Sequence, residues 1–340
     1  MTSIEPLRTS DRRPRLVVEE FGPASRRTRV VTAVARPFIR TGLEVASIAA
    51  RPWNVRAASW TDYVGGRYRP TPGVLRRPVR LADLDLEWVW PSSVPAPESA
   101  PAAVLYFHGG AFVAGGLRTF RGVGARISAA TGWPVCTVGY RMLPTPVTAI
   151  VEDGVRAYRY LLSRGFDPRH IVCVGDSSGG YLAFAVPLAA REAGLPLPGG
   201  IIAASPWTDF DCAAKFRSPH GRTDVFFSAA AIDRLVRRLL VDEDGARPLS
   251  PVDAALTGLP PVLIQASTSE LLRCDAELMA QRLADAKVSC RLQLWDRQPH
   301  GFPVFGALPE SRAAIAEMAR FLHDLTEPME TQENSCPESS

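Results

Sequence analysis

The first eighty residues of this 340-residue chain contain no lysine, the whole chain contains no C-x-x-C pair, and no uninterrupted apolar run is long enough to span a bilayer. Each absence excludes something. Without a spanning run, integral membrane association is not expected. Without close cysteine pairs, the six cysteines at 136, 173, 212, 274, 290 and 336 read as separate thiols, three of them inside apolar strand-like runs. That pattern suits buried thiols in a reducing compartment rather than a disulfide framework. The opening MTSIEPLRTSDRRPR carries charge with no apolar segment after it, so the expected location is cytoplasmic. Nor does any recognised nucleic-acid motif accompany the basic residues, so no nucleic-acid partner is expected.

What is present is locally basic. The formal charge is +4, but positions 1 to 80 hold 16 Arg against 6 acids, which makes +10 there and −6 in the remainder. Such a front segment either faces anionic lipid or an acidic partner, or is a solvated leader, and the charge alone leaves both open. With 46% hydrophobic and 22% charged residues the body is ordinary globular protein, long enough for one α/β domain with an appendage or for two modest domains. A homodimer is left open.

Residues 1 to about 27 are rich in Arg, Pro and Ser, and residues 327–340 lack apolar content, so both ends are expected to be disordered. Apolar residues from Val30 to Ile48 recur at helical spacing, with an interruption expected at Pro37 and a stop near Pro52. Alternation over Val79–Trp90 predicts a strand. Short apolar runs at Ala103–Phe107, Val135–Val138, Ile171–Val174, Gly200–Ala204, Pro261–Ala266 and Arg291–Trp295 are separated mostly by helix-length segments. Strands alternating with helices predict a mostly parallel sheet covered on both faces. More than fifty residues lie between Ala204 and Pro261, enough for a lid containing the amphipathic piece Ala229–Leu240.

Gly175–Asp176–Ser177–Ser178–Gly179 fits G-x-S-x-G between the run Ile171–Val174 and a helix-like Gly180–Ala190. A G-x-S-x-G arises by composition alone in roughly one such chain in ten; the strand before it and the helix after it give the motif its weight. A nucleophile on a tight strand-to-helix turn needs small neighbours, and the turn aims its Oγ clear of the sheet, toward the helix dipole. Ser177 is therefore the candidate nucleophile. No Walker lysine follows, which argues against a phosphate loop.

His108–Gly109–Gly110 ends the first core strand, about seventy residues upstream. Small residues there let backbone N–H groups approach an oxygen that becomes anionic in a transition state. Gly109 and Gly110, with Ala111 as an addition, and the N–H of Ser178 are the candidate oxyanion donors. His108 reads as a brace for this loop.

The strand–G-x-S-x-G–helix turn resembles that of the α/β-hydrolases, whose chain order is nucleophile, acid, histidine, and that order leaves one of the five histidines. His108 and His170 precede Ser177, His220 precedes the last well-formed parallel strand and any acid after it, and His323 sits late on the helical stretch Glu310–Leu325. His300, in the loop after Arg291–Trp295, is the candidate general base. The acid is expected after Pro261–Ala266, where Glu270 is preferred and Asp275, read as beginning or capping the helix Ala276–Ala286, is the alternative. No metal or organic cofactor is called for by this chemistry.

Taken together these residues resemble the hormone-sensitive-lipase-like (family IV) carboxylesterases of the α/β-hydrolase superfamily, whose hallmark is H-G-G-G upstream of G-D-S-A-G-G. The likeness covers about residues 75–325 and includes Tyr140–Pro144, Glu152–Asp153, Ser205–Asp209, Leu259–Ile264 and His300–Phe302. Four positions depart from it: Ala111 for the third glycine, Ser178 for alanine, Thr145 where glutamate is frequent, and Glu270 where aspartate is commonest. The first two keep their backbone N–H.

The resemblance implies an α/β-hydrolase fold, with an eight-stranded, mostly parallel sheet, helices on both faces and a helical cap. The chain then divides into a disordered basic leader (1–27), an N-terminal cap segment (28–74), a catalytic domain (75–326) with a cap insertion at about 207–250, and a disordered tail (327–340). The activity it implies is hydrolysis of short- to medium-chain carboxylic esters through an acyl-enzyme. Amidase, formamidase or acyl-transfer chemistry on the same triad is the alternative. A non-catalytic small-molecule receptor, of the kind that has lost the histidine, fits less well because His300 is intact.

Overall fold

The computed structural model describes residues 15–55, 60–65, 71–240 and 248–326. Nine strands form one sheet: β1 (Leu16–Phe21), β2 (Val74–Leu81), β3 (Leu84–Pro91), β4 (Ala103–Phe107), β5 (Val135–Gly139), β6 (Ile171–Asp176), β7 (Gly200–Ala204), β8 (Val262–Ser267) and β9 (Cys290–Trp295). Their spatial order is β1-β9-β8-β7-β6-β4-β5-β3-β2. Only β2 with β3 and β3 with β5 pair antiparallel. The other pairs are parallel, and β4, β6, β7 and β8 are buried along their whole length, as their mostly apolar sequences require, with Asp176, Gln265 and Ser267 the buried polar exceptions.

The helices are α1 (Arg26–Ala49), α2 (Thr61–Gly65), α3 (Leu117–Thr131), α4 (Val147–Ser163), α5 (Ser178–Glu192), α6 (Ala213–Arg217), α7 (Ala229–Leu239), α8 (Arg273–Asp285) and α9 (Pro309–Thr326). One hydrophobic cluster, centred on Trp88, Phe107, Phe184 and Ile264, fills one side of the sheet, and a second, with Tyr106, Ile127, Val174 and Leu322, fills the other. α1 and α7 pack against each other.

Three expectations are corrected. The sheet has nine strands rather than eight, because the stretch assigned to a disordered leader supplies β1. Leu16 to Phe21 take the open edge of β9 in register from Leu16 with Cys290 to Phe21 with Trp295, and the last pair stacks at 4.1 Å. Residues 1–14 of that leader, and the 327–340 tail with Cys336, lie outside the described residues. α1 is not interrupted at Pro37. That position faces solvent, where water can satisfy the carbonyl the proline leaves free, and Arg36 and Arg40 on either side anchor the helix to carbonyls of residues 221–224. Finally, the alternation over Val79–Trp90 spans a hairpin rather than one strand, turning at Ala82 and Asp83, where Ala82 takes φ 52°.

Candidate active site

Every candidate residue lies at the carboxyl ends of neighbouring parallel strands, where open α/β sheets place ligands. β6 ends at Asp176 and α5 begins at Ser178, so Ser177 occupies the turn with φ 54° and ψ −119°. An L side chain seldom adopts that conformation. Here the surroundings hold it: Ser177 N–H donates to the Ala204 carbonyl at 2.9 Å, and its own carbonyl accepts from Trp207 N–H at 3.1 Å and Tyr181 N–H at 3.2 Å. A Cβ on Gly179 would stand 2.0 Å from the Phe107 carbonyl oxygen, which is why the helix start beside β4 admits only glycine there.

The loops after β8 and β9 bring Glu270 and His300 to this turn. Ser177 Oγ lies 2.8 Å from His300 Nε2, and His300 Nδ1 lies 2.6 Å from Glu270 Oε2. The other carboxylate oxygen, Oε1, accepts from Ser267 N–H at 2.6 Å and Ser205 Oγ at 2.9 Å. Ser205 also accepts from Gly301 N–H at 2.9 Å, so one hydroxyl ties the acid loop to the histidine loop. All three members of the row are buried. Burial pulls the His300 pKa down, but the hydrogen bond and charge of Glu270, joined by the charges of Asp224 and Asp176, outweigh it and hold the imidazole above its ordinary value. In this arrangement the imidazole can take the Ser177 proton, and Glu270 fixes the tautomer that makes this possible.

Asp224 had no signal in the sequence. Its Oδ1 accepts from Phe226 N–H and Phe227 N–H at 2.6 and 2.9 Å, its Oδ2 from Leu271 N–H at 2.6 Å, and its backbone carbonyl from Arg40 at 2.9 Å. The cap insertion is thereby latched to the acid loop. The latch sets Phe226 and Phe227 edge-on to His300, at ring distances of 6.1 and 5.1 Å. Burial raises the Asp224 carboxyl.

The oxyanion loop differs from expectation at one residue. Gly109 N–H is taken by Asp176 Oδ1 at 3.1 Å, so it is not available to a ligand. Asp176, which Tyr106 OH also donates to, staples the loop after β4 onto the turn at Ser177, and burial pushes its carboxyl up to about 6. The amides without an acceptor among the described residues are those of Gly110, Ala111 and Ser178, the last because it opens a helix. Gly110 and Ala111 face the cavity beside Ser177. Ser178 adds its hydroxyl, which receives Phe112 N–H at 3.4 Å from the same loop. The signal for Asp176 was its place immediately before the candidate nucleophile; Ser205 lay within a recognised run but carried no assigned role.

Asp275, the alternative acid, is not at His300. It lies inside the first turn of α8, whose cap is Leu272, and its carboxylate meets Lys215 Nζ at 2.6 Å and the N–H groups of Thr208 and Asp209 at 3.2 and 3.0 Å. Burial pushes its carboxyl up to about 6, against the pull of Lys215. His108 is fully buried, stacked on Tyr140 at 4.3 Å and on Phe120 at 5.2 Å, and held against its neighbour's carbonyl. Burial drops its pKa to about 4, so it is a neutral brace. His323 packs edge-on to Trp133 and does not line the cavity at Ser177. Among the described residues no three His, Cys, Asp or Glu side chains gather as for a metal ion.

Ser177 and His300 open into a cavity of about 710 Å³. Ile39, Leu43 and Ala50 of the α1 region, Leu235 and Leu239 of α7, and Val304 make its walls apolar.

Known proteins share this chain's fold and much of its sequence. A family described by the alpha/beta hydrolase fold matches residues 104–304. An acetyl-hydrolase of Streptomyces hygroscopicus is 35% identical over 251 residues, 73% of this chain and 82% of that protein. The carboxylesterase/phospholipase LipF of Mycobacterium tuberculosis is 34% identical over 78% of this chain and 74% of its own length. The crystal structure of an esterase from the bacterial hormone-sensitive lipase family superposes with a TM-score of 0.77 at 29% identity, covering 90% of this chain and all of the other.

Proposed function

The chain belongs to the hormone-sensitive-lipase-like carboxylesterases of the α/β-hydrolase superfamily, and from that premise we propose that it cleaves short- to medium-chain esters through an acyl-enzyme on Ser177. His300 is the general base and then the general acid, and Glu270 orients it. The observation that carries this reading is the unbroken row from Ser177 Oγ through His300 to Glu270, at 2.8 and 2.6 Å, facing an apolar cavity.

Ser177 Oγ attacks the ester carbonyl carbon while its proton passes to His300 Nε2. The carbonyl oxygen becomes anionic and takes hydrogen bonds from the amides of Gly110, Ala111 and Ser178, each worth about 3 kcal/mol in a dry site. The imidazolium, stabilised by Glu270, then protonates the leaving alkoxide and the alcohol departs. Water, deprotonated by His300, attacks the acyl carbonyl. Collapse breaks the bond to Oγ, returns the proton to Ser177 and releases the carboxylic acid. The walls contributed by α1 and α7 suit an acyl chain, because they offer an apolar chain burial without asking it to hydrogen-bond.

Turnover of p-nitrophenyl butyrate by Ser177→Ala and His300→Ala tests the proposal. Each is expected to lower kcat by about 10⁴-fold or more with the circular dichroism spectrum unchanged. Retention of kcat within about tenfold in either variant overturns the assignment. A series of p-nitrophenyl esters of rising acyl length, run beside an N-formyl aromatic amine, tests substrate class; faster turnover of the amine points to an amidase.

A further inference from the structure

The outward face of α1 has no partner among the described residues. At 3.6 residues per turn, Val30, Val34, Phe38, Val45 and Ile48 fall within an arc of roughly 100°, with Val31 at its edge. All are exposed, Phe38 to 75%. Past the end of the helix, Trp53 is 81% and Trp60 71% exposed, and Tyr63 stands out as well. A surface helix ordinarily turns its apolar stripe inward and its polar residues out. In α1 much of the polarity points inward. Thr28 bonds to Glu310, Arg36 and Arg40 to carbonyls of residues 221–224, Glu44 to Arg234 and Ser228, and Ser47 to Arg234. The fold uses these polar groups to anchor the helix and leaves an apolar band facing out, interrupted by Thr41, and an exposed apolar patch of this kind marks an interaction surface.

Charge identifies what covers the band. Residues 26–65 hold seven Arg, of which Arg36 and Arg40 turn inward, and two acids, both committed elsewhere, Glu44 to Arg234 and Ser228 and Asp62 to the N–H of Thr119. Arg26 and Arg27 are exposed at the start of the band with no carboxylate partner among the described residues, and Arg118 stacks over Tyr63 at 4.8 Å at the far end. A second copy of this chain would set one arginine rim against another with no acid between them. An anionic lipid surface would pair the rim and accept the valines and Phe38, while Trp and Tyr rings favour the boundary between headgroups and acyl chains. No helix among the described residues is long and apolar enough to cross a membrane, so the contact is peripheral.

We propose that the outward face of α1, extended by Trp53, Trp60 and Tyr63, seats this protein on anionic membrane surfaces. The seat lies beside the cavity. Ala49 lines the cavity and lies at the edge of the band, so one turn of α1 meets both.

The test is co-sedimentation of the full chain with phosphatidylglycerol/phosphatidylcholine vesicles, against phosphatidylcholine alone, at low and high salt. Binding to the anionic vesicles, weakened by salt and accompanied by a blue shift of tryptophan fluorescence, is expected. Val34→Glu combined with Phe38→Glu is expected to reduce partitioning about a hundredfold. Arg26→Glu combined with Arg27→Glu is expected to reduce it about tenfold or more. Both variants should turn over dissolved p-nitrophenyl butyrate at the parental rate, which also reports that they fold. Ser177→Ala should bind vesicles as the parent does, so failure of the catalytic reading and failure of this one are separable. Absence of vesicle binding overturns the proposal. So does a concentration-dependent dimer that the Val34/Phe38 substitutions dissociate without any effect of vesicles.

Discussion

Replacing Glu270 by glutamine changes one oxygen for an NH₂ group, and the local hydrogen bonding dictates which way the amide turns. Oε1 accepts from two donors, Ser267 N–H and Ser205 Oγ, whereas Oε2 accepts only from His300 Nδ1. A glutamine keeps its oxygen toward the two donors, so its NH₂ faces Nδ1. The imidazole can then remain bonded only by placing its proton on Nε2, where it donates to Ser177 Oγ instead of accepting. The base is present but in the wrong tautomer, an error that costs about 10⁴ in kcat in a comparable triad, or about 5 kcal/mol of barrier. The pH profile should move as well. The Glu270 charge is part of what holds the His300 pKa up, and the base works only when neutral, so in Glu270→Gln the acid limb of kcat/KM shifts to lower pH. Initial rates on p-nitrophenyl butyrate across pH read both effects. A Glu270→Gln enzyme within about tenfold of the parent in kcat, or an Asp275→Asn enzyme that loses more kcat than Glu270→Gln, would refute the assignment.

Ser205→Ala removes the hydroxyl bridging Glu270 and Gly301 N–H; thermal or urea unfolding should show a loss of about 1–3 kcal/mol, together with a fall in kcat. Asp224→Asn must abandon either Leu271 N–H or the Phe226 and Phe227 amides, so the cap loosens and KM for p-nitrophenyl butyrate rises more than kcat falls. Lys215→Met strands Asp275 as an unpaired buried carboxylate and should cost about 3–5 kcal/mol in urea unfolding at neutral pH. Burial already raises that carboxyl, so the folded state holds its proton more tightly than the unfolded chain does; the deficit shrinks on acidification, and adding Asp275→Asn recovers part of it.

The parallel strands other than β1 were legible as short apolar runs set mostly between helix-length segments, and the proposal of Ser177 rests on strand, turn and helix being consecutive. His300 and Glu270 were chosen by chain order, and the structure places His300 2.8 Å from Ser177 and Glu270 2.6 Å from His300 along one row. Chain order does not separate Glu270 from Asp275; the ion pair of Asp275 with Lys215 favours the proposed Glu270, and that pair depends on how residues 207–250 fold. Gly109 was misread because its amide direction is set by Asp176, 67 residues away. Ser205 and Asp224 act through hydrogen bonds across 65 and 47 residues, which no local pattern records. β1 escaped notice because an edge strand with Glu19 and Glu20, next to an arginine-rich stretch, has the composition of a loose leader; its order comes from the open edge of β9.

The most direct measurement is mass spectrometry of the protein after reaction with a fluorophosphonate. The catalytic reading predicts a single adduct on the peptide containing Ser177, formed fast in the parent, slowed severely in His300→Ala and absent in Ser177→Ala. An adduct on another residue, or labelling of Ser177 at the same rate without His300, would contradict it.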